Sequence, residues 1–221
     1  MSVPLSVLAM PQTYNSDDAL PPLILDMYGN DSLNDCVIVA RAHHTIRLAW
    51  DGVRPLLNVS DSDVRHEYFK ETGGPDDGLS LKDSLDEWRD VGWTIGIDPT
   101  MRKIKSYSGP YGIEGGAYPV DDPAMVLNRE QLHDRIFAGI GAHVNLILPN
   151  GVSVRKSDSF GPAHPWQDTS GSEGDPHVML LTGYSADDFL GITWAQRQKM
   201  TWGFLQHHCW GVFFVQKGNA T

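Results

Sequence analysis

Two residues far apart in the chain, Cys36 and His177, have the side-chain types for nucleophilic catalysis. A thiol attacks a carbonyl only as thiolate, and a free cysteine is mostly protonated at neutral pH. The positive end of a helix and a neighbouring imidazolium both lower its pKa. Cys36 closes a run of turn formers, Gly29-Asn30-Asp31-Ser32-Leu33-Asn34-Asp35, and opens an apolar pattern of helical spacing, so the first device is at hand. The second must come from one of the nine histidines. His177 follows a glycine-rich loop and leads into Val178-Met179-Leu180-Leu181-Thr182-Gly183-Tyr184. Taken singly, a cysteine at a helix start is more often structural, and a histidine entering an apolar strand is usually a core residue.

The elements that must position this pair can be read from periodicity. From Cys36 to Trp50, apolar residues recur at spacings of three and four, with Asn34 or Asp35 as the cap. Helices are expected over Ser60–Thr72, Ser80–Val91 and Asn128–Ala138, each bounded by capping or glycine signals. His143–Leu148, His177–Tyr184, Phe189–Trp194 and Cys209–Gln216 read as strands, and Trp93–Asp122 as short β-like runs between Gly and Pro. Residues 1–28 hold four prolines and read as an extended arm, with no basic region that would mark a signal peptide. Helices first and antiparallel-looking strands last predict one α+β domain over 29–221, helical over about 29–138 and β over about 139–221. The loop from Asn150 to Pro176 is longer than a compact domain usually carries.

Composition narrows the function classes. A formal charge of −11 over 221 residues argues against nucleic-acid binding, which needs a basic footprint. The acidic residues cluster between Asp61 and Asp90, on what read as solvated helix faces. No apolar run approaches the roughly 20 residues that span a bilayer, so no membrane partner is expected. With two cysteines, Cys36 and Cys209, the chain does not read as a disulfide scaffold, and a reducing, cytoplasmic setting is expected rather than secretion. The pairs His43-His44 and His207-His208 each point to two sides of their element, and His207 with Cys209 lacks further ligands at metal spacing, so no metal or cofactor is expected.

The flanks of the two residues resemble the papain-like cysteine peptidase superfamily. His177-Val-Met-Leu-Leu-Thr-Gly183-Tyr184 followed by Phe189-Leu-Gly-Ile-Thr-Trp194 is similar to the family segment in which the catalytic histidine begins a strand ending in Gly-Tyr and a hairpin return carries Asn-Ser-Trp-Gly. Thr201-Trp202-Gly203 resembles the family's second Trp-Gly. Upstream, Gly29 to Cys36 resembles the nucleophile segment, with Asn30 six residues before the cysteine where the family has a glutamine. The two blocks cover about a third of the chain, and the YGND…DC form looks similar to compact phage and prophage members. The resemblance implies a papain-like α+β fold with the Cys-bearing helix packed on a C-terminal antiparallel sheet. It implies Cys36 as nucleophile, His177 as base and acid, and Asn30 as oxyanion donor.

The family's third residue, an asparagine that orients the histidine, has no direct counterpart. Counting back from Trp194 gives Ile192, and counting forward from His177 gives Thr193. Threonine can bond an imidazole if the strand shifts or a bulge turns it inward; Asp168, Asp175 and Gln196 are further candidates. Trp194 would shield the histidine from water. The leading expectation is a thiol hydrolase cleaving an amide, a peptide bond first, through an acyl-enzyme on Cys36. Two others stand beside it: a catalytically decayed papain-like module with a structural or binding role, for example in a phage virion, and acyl transfer to an amine. Peptide or protein substrate is the expected partner, with virion or homo-oligomer contacts open. The 150–176 loop, carrying His164, Trp166 and Asp168, and the N-terminal arm could each cover the cleft.

Overall fold

The structure is a computed structural model that describes residues 10–23, 25–139, 141–150, 152, 164–167 and 174–218. Its helices follow the apolar periodicity closely. α1 spans Cys36–Ala49, α2 Asp61–Thr72, α3 Leu81–Asp90 and α4 Arg129–Gly139. Ser60 and Ser80 accept the backbone N–H groups of Asp63 and Asp83, and α2 carries a full capping box and stops at Gly73 in the left-handed region. A fifth helix, α5 (Trp202–His208), lies within the strand-rich C-terminal part and was not anticipated.

The strands are β1 (Tyr14–Asn15), β2 (Trp93–Ile95), β3 (Asp98–Arg102), β4 (Ile104–Ile113), β5 (Val126–Leu127), β6 (Ala142–Pro149), β7 (Gly174–Tyr184), β8 (Asp188–Thr193), β9 (Gln196–Thr201) and β10 (Cys209–Lys217). Among the described residues, eight of them form one sheet in the order β5-β4-β10-β6-β7-β8-β9, with β1 added to β7 and β2 and β3 pairing apart. Every pair is antiparallel except β4 with β5. β4 comes from the earlier, helix-rich part of the chain, and its pairing with β10 ties the two parts together.

Alternation along the strands divides the core in two. Val178 and Leu180 of β7 and Phe213 and Val215 of β10 pack with α1, α2 and α3. Met179 and Leu181 pack on the other face with Val144 and Leu146 of β6, Leu132 and Ile136 of α4, and Phe204 of α5. The sheet is thus buried on both faces, which explains its near-continuous apolar runs. Two acidic residues expected on a solvated surface are turned inward: Glu67 and Glu71 pair with the buried Arg41 at 3.1 and 2.5 Å. That guanidinium also lies between the rings of Trp88 and Trp93, at 5.2 and 5.0 Å.

The described part of the N-terminal arm does not cross the cleft. Tyr14 and Asn15 pair with Tyr184 and Gly183, at the opposite end of β7 from His177. A short 3₁₀ turn, Ser16–Ala19, then places Asp17 between Arg47 of α1 and Arg197 of β9, at 2.5 and 2.7 Å. Asp17 and Arg47 are both buried and Arg197 is partly exposed, so the segment is held by a desolvated ion pair with a half-solvated third member and packs as part of the body.

Candidate active site

Cys36 is the first residue of α1, so its sulfur lies at the positive end of a 14-residue helix. The expected side-chain cap is not made. Asp35 occupies the N-cap position but accepts no capping bond, while Asn34 bonds Asp76 through both its backbone and side chain. Asp35 is instead 0 % exposed, and apart from its own backbone N–H neither oxygen meets a hydrogen-bond donor. Burial pushes its carboxyl up to about 7, against only partial help from Arg65.

β7 begins three residues before His177, so the histidine sits inside the strand rather than opening it. The next residue makes the link to Cys36: the backbone N–H of Val178 favours the Cys36 thiolate, as do those of Val37 and Cys36 itself. Burial is nonetheless the larger influence on the thiol and pushes it up to about 11, with the Asp35 carboxylate adding to the rise. Burial also pushes the His177 imidazole down to about 4. Taken one at a time, both groups are therefore neutral.

Which residue of β8 faces His177 is set by a bulge. Tyr184 and Gly183 pair with Phe189 and Leu190, but Leu181 and Leu180 pair with Gly191 and Ile192, leaving Thr182 as an extra residue on β7. Without that residue the register would carry Ile192 onto the side of the sheet that bears His177. With it, Ile192 stands opposite Leu180, facing α1, and Thr193 falls on the histidine's side. Thr193 Oγ1 lies 2.6 Å from His177 Nε2. The hydroxyl can accept a ring proton, which leaves Nδ1 as the basic nitrogen. Of the other candidates, Asp175 is exposed at the cleft, Gln196 is exposed across from Thr193, and Asp168 lies outside the described residues.

The turn after Thr193 holds the ring from its other side. Trp194 and Ala195 form the two-residue loop between β8 and β9, with φ of 46° and 59°. Hairpin loops of this kind favour Asn-Gly because both residues need positive φ, so a Trp-Ala pair carries strain. The return is the placement of the Trp194 indole, whose centroid is 4.6 Å from that of His177.

Asn30 reaches the site through a second tight turn. Tyr28 and Gly29 have φ of 55° and 91°, and the Asn30 N–H closes the turn on the Met27 carbonyl at 3.0 Å. Asn30 is buried, and its carboxamide makes no hydrogen bond among the described residues. Asn30, Cys36, His177 and Trp194 line one cavity of about 680 Å³, walled on one side by the 77–82 segment and on the other by the ends of β6, β7 and β10. Of the 150–176 loop, the described His164–Gln167 segment runs beside β9, where Trp166 N–H bonds the Lys199 carbonyl. Of the other histidine pairs, His43, His44 and His208 are buried and His207 is exposed. His44 meets His143 at 2.9 Å, the His43 ring lies tilted beside Tyr28, and the Cys209 thiol donates to the Gly211 carbonyl.

No family model and no curated protein matches the chain. Solved structures do. Xylellain, a cysteine protease from Xylella fastidiosa, superposes with a TM-score of 0.57 at 12% identity, covering 96% of this chain and 88% of that one. The mite allergens Blo t 1 and Der p 1 are the subject of a second match, at 0.59 and 10%, covering 98% of this chain and 74% of that one. The Carica candamarcensis cysteine protease CMS1MS2, solved in complex with E-64, gives 0.54 and 14%, covering 95% of this chain and 100% of that one. The chain therefore has the papain-like cysteine protease fold, with the Cys36 helix packed on an antiparallel sheet.

Proposed function

We propose that the protein is a cysteine peptidase that cleaves peptide bonds through an acyl-enzyme on Cys36. The observation that carries this reading is the His177–Thr193 contact within the cavity that also holds Cys36. His177 takes the thiol proton on Nδ1, and the sulfur forms a bond to the substrate carbonyl carbon as that carbonyl's π pair moves to oxygen. The Asn30 carboxamide and the Cys36 backbone N–H donate to this oxyanion. His177 then gives its proton to the nitrogen as the C–N bond breaks, and the amine leaves. Water, deprotonated by His177, attacks the thioester and releases the acid with the thiol restored.

Burial disfavours thiolate and imidazolium alone, yet the two charges arise together by one proton transfer and each offsets the other. The helix terminus and the N–H of Val178 favour the thiolate in addition. A second reading, a papain-like module with a binding or structural role, in a virion or elsewhere, is favoured by the neutral state that burial imposes on both groups.

Labelling separates the two. Intact mass after treatment with E-64 or iodoacetamide at pH 6–7 should show one adduct on Cys36, formed faster than on a model thiol and lost or slowed in His177→Ala. An adduct rate equal to that of a model thiol and indifferent to His177→Ala would sink the peptidase reading.

A further inference from the structure

Asn145 of β6 lies directly across from Val178 of β7 and from Gly211 of β10, so the three share the α1-facing side of the sheet. Their surroundings in the cleft are apolar: Val178, Pro110, Phe213 and Trp210 line the same cavity, and Trp210 is 45 % exposed. A strand facing such a wall is expected to present an aliphatic side chain, as β6 does on its other face with Val144 and Leu146. Asn145 is 8 % exposed, and its carboxamide has no hydrogen-bond partner among the described residues. It is not sealed off, since it lines the cavity. Gly211 contributes by what it lacks: a Cβ there would stand 3.3 Å from Pro110 Cβ and 3.7 Å from Asn145 Nδ2, narrowing the space beside the carboxamide.

We propose that Asn145 is a specificity-determining residue, and that the subsite over it takes a substrate side chain bearing a carboxamide, glutamine first. The proposal rests on the peptidase reading of the same cleft. A carboxamide presents one acceptor and two donors, and only a group with both capacities satisfies both ends. An aliphatic side chain leaves a desolvated amide unpaired, which is the situation in which sites built to hydrogen-bond reject analogues most strongly. A carboxylate meets Asp77 and Asp175 at the same cleft, where the one lining cation among the described residues, Lys82, is already paired with Asp86 at 2.8 Å. An ammonium or guanidinium satisfies only Oδ1 and brings its charge among Pro110, Phe213 and Trp210. Glutamine lays two methylenes against those walls and delivers the amide to Asn145.

The test uses short peptidyl epoxides in which each position is varied in turn among Gln, Leu, Arg and Glu, with adduct formation on Cys36 read by mass. At one position the Gln probe should label the wild-type protein on the order of tenfold faster than the Leu probe. Asn145→Leu should reverse that ratio, and Gly211→Ala should lower the Gln rate at the same position without favouring Leu. Equal rates for Gln and Leu at every position overturn the proposal, as does a preference for Arg or Glu, or a Gln preference that survives Asn145→Leu. Plain iodoacetamide keeps the two readings apart. If it labels Cys36 in a His177-dependent way while no peptidyl probe discriminates, the specificity proposal fails and the peptidase reading stands; if it does not, the peptidase reading fails as well.

Discussion

His177 and Cys36 line the same cleft but are held by different kinds of structure. The imidazole sits in a hairpin in which three features converge: the Thr182 bulge sets the register, Thr193 bonds Nε2, and the Trp194 ring covers the remaining face. The thiol sits at a helix start where the expected cap is missing and a buried carboxyl takes its place. One side is organised by directed contacts and the other by a balance of charge against burial. The position of the histidine should therefore be hard to disturb except by changing a contact atom, whereas the reactivity of the thiol should respond to any change in nearby charge.

The largest effect should come from the directed side. His177→Ala removes the base, and turnover of a fluorogenic peptide amide should fall by about 10³-fold or more. Thr193→Val deletes only the hydroxyl. Turnover should drop about tenfold with the same melting temperature within about 2 °C, and Thr193→Ser should recover most of it. A Thr193→Val variant as active as wild type would show that Trp194 and the strand alone orient the ring.

Asp35→Asn tests the other side. Removing the carboxylate should lower the Cys36 pKa and raise the rate of alkylation by iodoacetamide at pH 8 a fewfold. The same variant has a thermal signature. The folded Asp35 carboxyl titrates near 7 rather than at its ordinary value of 3.8, so the folded state holds the proton more tightly than the unfolded one. Its contribution is fully present below about pH 4 and is lost as pH rises through 7. Asp35→Asn should therefore melt higher than wild type at pH 8 and about equally at pH 4. Equal melting at both values would mean that the carboxyl is solvated in solution. The smallest effect is expected at the turn: Ala195→Gly relieves a positive φ and should stabilise by about 1 kcal/mol in urea titrations, leaving Trp194 on the ring.

The helices were legible because their apolar spacing and serine caps agree, and the Cys36 and His177 segments because local motif and element order point the same way. The orienting residue was not. Ile192 and Thr193 alternate along one strand, so either fits a half-buried pattern, and the choice lies in a bulge on the partner strand that no periodicity marks. β9 was missed because Gln196-Arg197-Gln198-Lys199 is polar, although Gln198 and Met200 are buried. Asp35 was misjudged for the opposite reason: its residue type before an apolar run signals a cap so strongly that burial without a partner is not anticipated. Asn145 was read only as part of a strand, since its significance depends on Pro110, Val178 and Phe213 arriving from three other strands.

The triad of Arg47, Asp17 and Arg197 has a bearing on when the cleft can exist. Asp17 and Arg197 are 180 residues apart, and β1 likewise waits for Gly183 and Tyr184 of β7. A chain emerging from its N-terminus makes Cys36 early and His177 late, and the segment before α1, although Asp17 can meet Arg47 at once, completes its pairing only when β7 and β9 have been synthesised. Such non-local closure slows folding, because the entropy of joining distant segments is lost before the contacts form. It also sets an order of events: Cys36 and His177 come to line one cavity only in a chain whose last strands are already docked, so the nascent protein carries its cysteine through most of synthesis before that cavity exists.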